Sequence, residues 1–538
     1  MGALVGLLSA AVALGVGEVV AAFLRPAASP VIVVGNRFIL LTPEPVKRWA
    51  IRNFGTNDKS ILLTGIYVGI AVLAVVVGML ALRRLSYGVI GIVAFGGIGV
   101  YAALTTNAHR VSDVVPTILG TATAVVMLLV LVRASGTDAA LAALPPPGRV
   151  GGGTAGSGGT AGSGGTVVGG GTTGSDAPPR LVANRRGFLQ GSVAATGLAA
   201  VAGFGGRAAQ HARFDVAAAR KRVVLPAPVS PAGAMPRGAD LGKGTSAWNT
   251  PNAQFYRIDT ALSVPQIDPN RWSLRIHGMV DREITLSYDQ LRSRPLIERW
   301  ITMCCVSNEV GGNLIGNARW LGARLADLLR EAGVHDGADQ LLLSSSDGMT
   351  IGAPTKVVMD GRDAMVAVGM NGEALPVAHG FPARIVVPGL YGYVSACKWV
   401  VDIEATTFAS RRAYWVQGGW AAQTDIKLES RIDTPRSGAR VPAGRPVAIA
   451  GVAWDQHVGI STVEVQIDDG PWLPARLATV PSTDTWRQWV VAWTPPQPGS
   501  YRVRVRATDR AGKPQTENSQ PSFPSGATGL HTITVRAT

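Results

Sequence analysis

The stretch TMCCVSNEVGGNLIGNARWLGARL, Thr302 to Leu325, holds two of the three cysteines in a chain of 538 residues. Cys305 ends an apolar run. Ser307 and Asn308 follow it, and then the pair Gly311 and Gly312. A loop of small, polar and glycine residues lets backbone approach a bulky ligand and offers donors to anionic groups. A buried cysteine is most often just a small hydrophobe. Cys304 fits that description, because neighbours on a strand point to opposite faces. A lone thiolate at Cys305 does not suit zinc, which takes three or four protein ligands. It does suit a metal whose other ligands come from an organic cofactor. Three cysteines exclude a disulfide framework, and no C-x-x-C pair is present for zinc, thiol exchange or haem attachment.

The elements that must position this cysteine follow from hydrophobic periodicity. WSLRIHGMV and ERWITMCC alternate and are rich in β-branched and aromatic residues, so strands are expected. WLGARLADLLREAG has apolar residues at helical spacing and a closing glycine, which predicts a helix with a glycine cap. DQLLLSSSDG, AMVAVGMNG and PARIVVPG read as further strands closed by glycine turns. Strands outnumber helices without a βαβ beat, so a mixed α+β domain is expected over 207–425. From Val223 to about Ile258 the chain is rich in Pro, Gly and Ala, as for a segment that wraps a domain surface. RPVAIAGVAWD, ISTVEVQIDDG, TWRQWVVAWTP and SYRVRVRATDRAG recur at short intervals, and they predict an immunoglobulin-like sandwich over 426–538.

The first 135 residues are of another kind. Ala3–Phe23, Ile61–Leu82, Tyr87–Leu104 and Val114–Val132 are each apolar over roughly 20 residues, the length of a bilayer crossing. Their frequent Gly and Ala permit close helix contact in lipid. A Gly/Ser/Pro-rich linker, 136–183, cannot bury enough surface to fold, and about 35 residues of it reach roughly 30 Å. NRRGFLQGSVAATGLAAVAGFGG, within 184–206, resembles a twin-arginine export signal at Arg185 and Arg186, read onto a fifth apolar helix. Its arginines belong in the cytoplasm, so four preceding spans place the N-terminus inside and everything after about Gly206 outside. Arg83 and Arg84 then obey the positive-inside rule. The segment Leu24–Ser60 does not: it carries Arg25, Arg37, Lys47, Arg48, Arg52 and Lys59, yet lands outside. Of seven histidines only His109 lies in this region, which excludes a bis-histidine haem between the spans. Glu18, near one end of the first span, reads as a side chain reaching interfacial water. The net charge of +15 is scattered or flanks apolar spans, so nucleic acid is not an expected partner.

CVSN…ARWLGARL, MNGEALPVAHGFPARIVVPGLYGYVSACKW and FYRID together resemble the sulfite-oxidase family of molybdenum enzymes, from about Phe255 to the end of the chain. The resemblance implies a Mo-molybdopterin cofactor, with Cys305 as the protein's thiolate ligand beside the two dithiolene sulfurs. It implies that Arg257 and Asp259 contact the pterin and metal site, with Asp259 standing where the family has His. His379 and Arg384 match residues that grip the cofactor's phosphate and pterin. Ala396, Cys397 and Lys398 match a cofactor-binding turn, and Asp347 a pterin-contacting aspartate. Trp320 matches a tryptophan that walls the substrate pocket, and Tyr414 a tyrosine near the metal's reactive oxygen. In sulfite oxidases an arginine stands five residues after the ligand cysteine; here that position is Val310, with Glu309 beside it, and Arg411 and Arg412 are candidate substitutes.

The expectation is therefore a multidomain chain: a transmembrane helix bundle, an α+β sulfite-oxidase-like domain and an immunoglobulin-like sandwich similar to the family's dimerisation domain. The sandwich implies a homodimer unless the membrane anchor takes its shared surface. The implied activity is two-electron oxygen-atom transfer on a small oxyanion or an S- or N-oxide, on the extracytoplasmic side of the cell membrane. Electrons would pass to or from a separate cytochrome or quinone-linked protein. The alternative is a non-catalytic, membrane-tethered binding or scaffold protein on a degenerate fold.

Overall fold

The computed structural model describes residues 1–54, 58–105, 110–135, 189–190, 192–199, 201–203, 215–242 and 244–538. They fall into two compact units, 1–37 with 60–105 and 110–210, and 38–59 with 106–109 and 211–538.

In the first unit α1 (Gly2–Leu24), α2 (Pro30–Leu41), α4 (Asp58–Arg83), α5 (Leu85–Thr105) and α6 (Val115–Ala134) are helical, and α3 (Glu44–Phe54) belongs to the second. Among the described residues, four helices are long and apolar enough to cross a bilayer: Gly2–Leu24, Lys59–Arg83, Leu85–Thr105 and Val111–Ala134. Small residues set their spacing. A Cβ on Gly6 would lie 1.8 Å from the Ala74 carbonyl oxygen, and one on Gly120 2.7 Å from that of Ala13. Glu18 accepts a hydrogen bond from Ser29, and Arg25 pairs with the buried Asp113. Ser192–Gly203 is a shorter apolar helix than a span requires. Arg185, Arg186, His109 and the linker lie outside the described residues.

In the second unit the α+β domain holds two sheets, the first mixed through its parallel β1–β10 pair and the second antiparallel throughout. One is ordered β2-β1-β10-β5-β6, from Ile284–Ser287, Ser273–Gly278, Val400–Thr406, Gln340–Ser345 and Thr350–Pro354. The other is β3-β4-β7-β8, from Leu296–Cys304, Ile315–Arg324, Met365–Met370 and Glu373–Ala374, with β9 (Arg384–Val386) paired to β7. The expected helix starting at Trp320 begins only at Leu325. Trp320–Arg324 instead completes β4, paired on one side to β3 and on the other to β7. Trp320–Ala323 are apolar and buried on both faces of a central strand, a pattern that imitates a helical stripe. The remaining helix, Leu325–Ala332, ends at Gly333 in the left-handed region (φ 69°), as the glycine predicts.

The C-terminal sandwich packs β11-β13-β17-β16 (Glu429–Thr434, Val447–Trp454, Arg487–Trp493, Arg476–Leu477) against β12-β19-β18-β14-β15 (Arg440–Val441, Thr532–Ala537, Gly499–Asp509, Ile460–Ile467, Trp472–Pro474), around Ile449, Val463, Trp489 and Val505. It is not a loosely strung appendage. Trp454 and Trp486 enter the main apolar core of the α+β domain, and the Trp486 amide donates to the Thr302 hydroxyl on β3 (2.8 Å).

Candidate functional site

β3 delivers Cys305. The strand runs buried to Cys304, which joins the apolar core, and the chain then leaves the sheet. The Cys305 amide donates to the Leu314 carbonyl (2.9 Å), and the Asn308 amide to the Cys305 carbonyl (3.0 Å). Asn308 Oδ1 accepts from the Leu314 amide (2.8 Å), which closes 305–314 into a tight loop. Burial pushes the Cys305 thiol up, while the amide and hydroxyl of Ser307 and the charge of Lys398 favour its thiolate. Cys304, deeper and beside Glu429, is pushed well above the ordinary thiol range by burial. The two cysteines thus divide into a packing residue and one whose sulfur is met by donors.

The sandwich grips this same loop. Arg431 donates to the Gly312 carbonyl (2.7 Å), to Ser246 Oγ (2.8 Å) and to Asp433 (2.7 Å). Ser522 donates to Glu309 (2.9 Å), and the His531 ring lies where a Cβ on Gly311 would fall. Gly311 has φ 78°, so both the conformation and the space require glycine there. Arg431→Met would strand the largely buried Asp433 carboxylate and release the loop. The expected loss is about 3–5 kcal/mol of stability, read by thermal unfolding of the full chain. Glu429, on β11, is buried close to Glu309, and its carboxyl is pushed from 4.5 up to about 8 by burial and then by that charge. The unfolded chain therefore loses this proton first as pH rises. Stability falls between about pH 4.5 and pH 8 and levels above it. Glu429→Gln should flatten that part of the pH–stability curve relative to the parent chain, which the thermal midpoint at each pH measures.

Opposite the cysteine loop stands the segment His379–Lys398. Arg384 is wholly enclosed, its guanidinium 5.0 Å above the Trp320 ring, with Nη1 donating to the His379 carbonyl (3.2 Å). Burial lowers its pKa to about 10, and it makes no ion pair among the described residues. His379 Nε2 donates to the Asn252 carbonyl (3.1 Å), and its ring meets Phe255 edge-on at 5.7 Å. Burial, Arg384 and Lys398 hold the imidazole down at about 4, so it is neutral at pH 7. A bound anion alongside would favour the imidazolium and make Nδ1 a second donor. At Gly380 (φ 112°) an added Cβ would lie 3.0 Å from that of Arg384, so glycine is needed where the chain doubles back.

Lys398 and Arg257 both donate to Oδ2 of Asp259 (2.6 and 2.9 Å), and Lys59 pairs with Oδ1 of the same carboxylate. Burial would raise the Asp259 carboxyl, but Lys398, Lys59 and Arg257 outweigh it and hold it far below the usual range. Burial lowers Lys398 to about 8 against the pull of Asp259. Ala396 and Cys397 are buried, and the Cys397 carbonyl accepts from the Ile385 amide (2.9 Å). Asp347 tops the β5–β6 turn, accepts from the Met349 amide (3.2 Å) and acts on Cys397. Trp320 is fully buried, with Nε1 donating to the Ile301 carbonyl (3.2 Å). Tyr414 opens the short helix Tyr414–Gln417, its amide donating to Thr350 Oγ1 (3.1 Å). Arg411 and Arg412 are exposed, and Arg411 pairs with Glu404 (3.3 Å).

Tyr256 escapes a reading by residue type. Burial and the neighbouring Cys305 raise its hydroxyl well above 10, and Arg384 acts on it in the opposite sense. Its oxygen lies 4.0 Å from where a Cβ on Gly392 would stand, beside Ala396 and the Cys304 carbonyl. This tyrosine joins the cysteine loop to the arginine segment. Its place between Phe255 and Arg257 was the available signal.

The polar groups left over define what fits. Arg384 Nε, Asn308 Nδ2, Ser345 Oγ and Ser346 Oγ are buried without a hydrogen-bond partner among the described residues. A protein does not leave several buried donors and a guanidinium unmatched without cost. An anionic guest rich in acceptors would satisfy them, with Cys305 available to its metal. The residues present fit a molybdopterin.

Comparison with known proteins agrees. Residues 261–415 match the oxidoreductase molybdopterin-binding domain family, and 429–535 match a bacterial Ig domain family. Mitochondrial sulfite oxidase of Mus musculus is 30% identical over 329 residues, covering 52% of this chain and 59% of that protein. The match thus spans well under two thirds of that relative. An uncharacterised oxidoreductase, YuiH, of Bacillus subtilis is 31% identical over 158 residues, covering 29% of this chain and 76% of its own. The solved sulfane dehydrogenase SoxCD from Paracoccus pantotrophus aligns at 23% identity with TM-score 0.47, over 54% of this chain and 81% of that one.

Proposed function

Since the chain belongs to the sulfite-oxidase family of molybdopterin-dependent oxidoreductases, we propose that it is a membrane-anchored enzyme of two-electron oxygen-atom transfer. Its substrate is a small sulfur oxyanion or an S- or N-oxide, and its catalytic domain lies outside the cytoplasm. The observation that carries this is the meeting at Tyr256 of a donor-served Cys305 and an enclosed, ion-pair-free Arg384. When bound, a molybdenum–pterin group supplies the oxygen-atom and electron chemistry.

The chain's own residues bind and orient. Cys305 offers the thiolate, kept available by the Ser307 donors and Lys398. Arg384, His379, Ser345 and Ser346 offer donors to a phosphate and pterin, and Asp347 offers an acceptor. Lys398 and Arg257 fix Asp259, so the cationic side of the site is rigid before substrate arrives. Electrons pass to or from the site through a separate cytochrome or quinone-linked partner. The four apolar helices support attachment to a membrane, and the twin-arginine-like motif supports export of a folded, cofactor-loaded domain.

The test is a screen of the purified full chain against sulfite with an oxidising dye and against methyl sulfoxides with a reducing dye. Turnover in one direction is expected, with molybdenum at about one atom per chain. A molybdenum-loaded chain inert in both screens would overturn the proposed reaction. A chain that takes up none would favour the non-catalytic scaffold.

A further inference from the structure

The basic segment between the first two spans conflicts with the positive-inside rule, and its structure supplies a reason. Residues 38–59 belong to the same compact unit as the molybdopterin domain. They contribute the last turn of α2, all of α3 and the first two residues of α4. Lys59 pairs with Asp259, the carboxylate that stands where the family has a histidine. Lys47, on α3, lies 5.9 Å from the ring centroids of both Tyr414 and Trp415. One segment, distant in sequence, thus meets the site at two of its candidate residues.

Charge makes the first contact chemically pointed. An aspartate in place of a histidine puts a negative charge beside the candidate cofactor and metal site. At Asp259 one carboxylate faces three cations, Arg257, Lys398 and Lys59. Two positive charges remain in excess, and Lys59 supplies one of them. The Asp259 side chain is 4% exposed and that of Lys59 19%, so water screens the pair weakly. Val310 stands where sulfite oxidases place an arginine, and Glu309 beside it is negative. The cation supply on this side is therefore short without Lys59.

We infer that Lys59 completes an oxyanion-binding subsite at Asp259, so that the start of the second span supplies a specificity residue to the catalytic site. This rests on the proposed reaction for its substrate class. Lys59 shares the charge of Asp259 with Arg257 and Lys398, so the three cations together keep an excess of positive charge toward an anion. A neutral sulfoxide gains nothing from it. The lysines of this segment lie where they do because the catalytic domain uses them.

The probe is inorganic sulfate, titrated by calorimetry into the full-length, detergent-solubilised, molybdenum-replete chain and into Lys59→Met and Lys59→Arg. Sulfate affinity should fall about tenfold in Lys59→Met and recover in Lys59→Arg, by the strength of one poorly screened charge. Where sulfite is turned over, its KM should rise by a similar factor while the KM for dimethyl sulfoxide stays fixed. Equal sulfate affinity in the parent chain and Lys59→Met, or no sulfate binding by the parent chain, overturns the inference. So does an equal loss for charged and neutral substrates, the mark of a merely structural lysine. Molybdenum content and the effect of Cys305→Ser judge the proposed reaction separately, since neither depends on Lys59.

Discussion

Replacing Cys305 by serine is expected to reduce turnover by about a thousandfold or more, equivalent to roughly 4 kcal/mol of transition-state stabilisation. The change is one atom in a loop whose shape is set elsewhere. The Asn308–Leu314 bond, the Cys305–Leu314 bond and the Arg431–Gly312 bond all survive it. A hydroxyl in that place is a hard, weakly acidic ligand for a metal that takes soft sulfur. Stability should accordingly change by less than about 1.5 kcal/mol, while activity is lost. Cys304→Ser should invert the pattern. It places a hydroxyl in the apolar core, so stability falls by about 1–3 kcal/mol with turnover largely kept. Thermal unfolding and dye-linked turnover of both variants separate the two sulfurs.

Arg384→Met is the second large effect. The guanidinium is enclosed, makes one bond to the His379 carbonyl, and has Nε unmatched. Among the described residues it has no counter-ion, and a buried charge left unpaired costs stability. Methionine keeps much of the contact with Trp320 and removes the charge, so the unloaded chain should be as stable or more so, by about 1–4 kcal/mol. Molybdenum content of the purified protein should nevertheless fall at least about tenfold, since a guanidinium–phosphate contact cannot be replaced by a thioether. Stability and loading moving in opposite directions is the result that separates a cofactor-binding arginine from a structural one. Thermal midpoints and metal analysis read it.

What the sequence made legible is what local chemistry controls. The apolar run into Cys305, the glycine cap at Gly333 and the alternating strands of the sandwich are short-range patterns, and the structure has each of them. Trp320–Arg324 was misleading because a strand buried on both faces carries no alternation. The basic stretch before Ser60 contains two helices, α2 and α3, of which α3 is three turns long and interleaves its apolar Val46, Trp49, Ala50, Ile51 and Phe54 with charged residues. Ser307 near the Cys305 sulfur, Tyr256 between two motifs, Arg431 on the cysteine loop and Lys59 on Asp259 were not legible. Apart from Ser307, each acts across dozens to hundreds of residues. Only packing brings Arg431 to Gly312 or Lys59 to Asp259. Asp259 itself could be seen as a departure from the family, but what offsets its charge could not.

X-ray absorption at the molybdenum edge of the purified full chain bears most directly on the account. It should show three sulfur neighbours in the parent protein and two in Cys305→Ser. The same number of sulfurs in both proteins would contradict the assignment of Cys305, whatever else the chain binds.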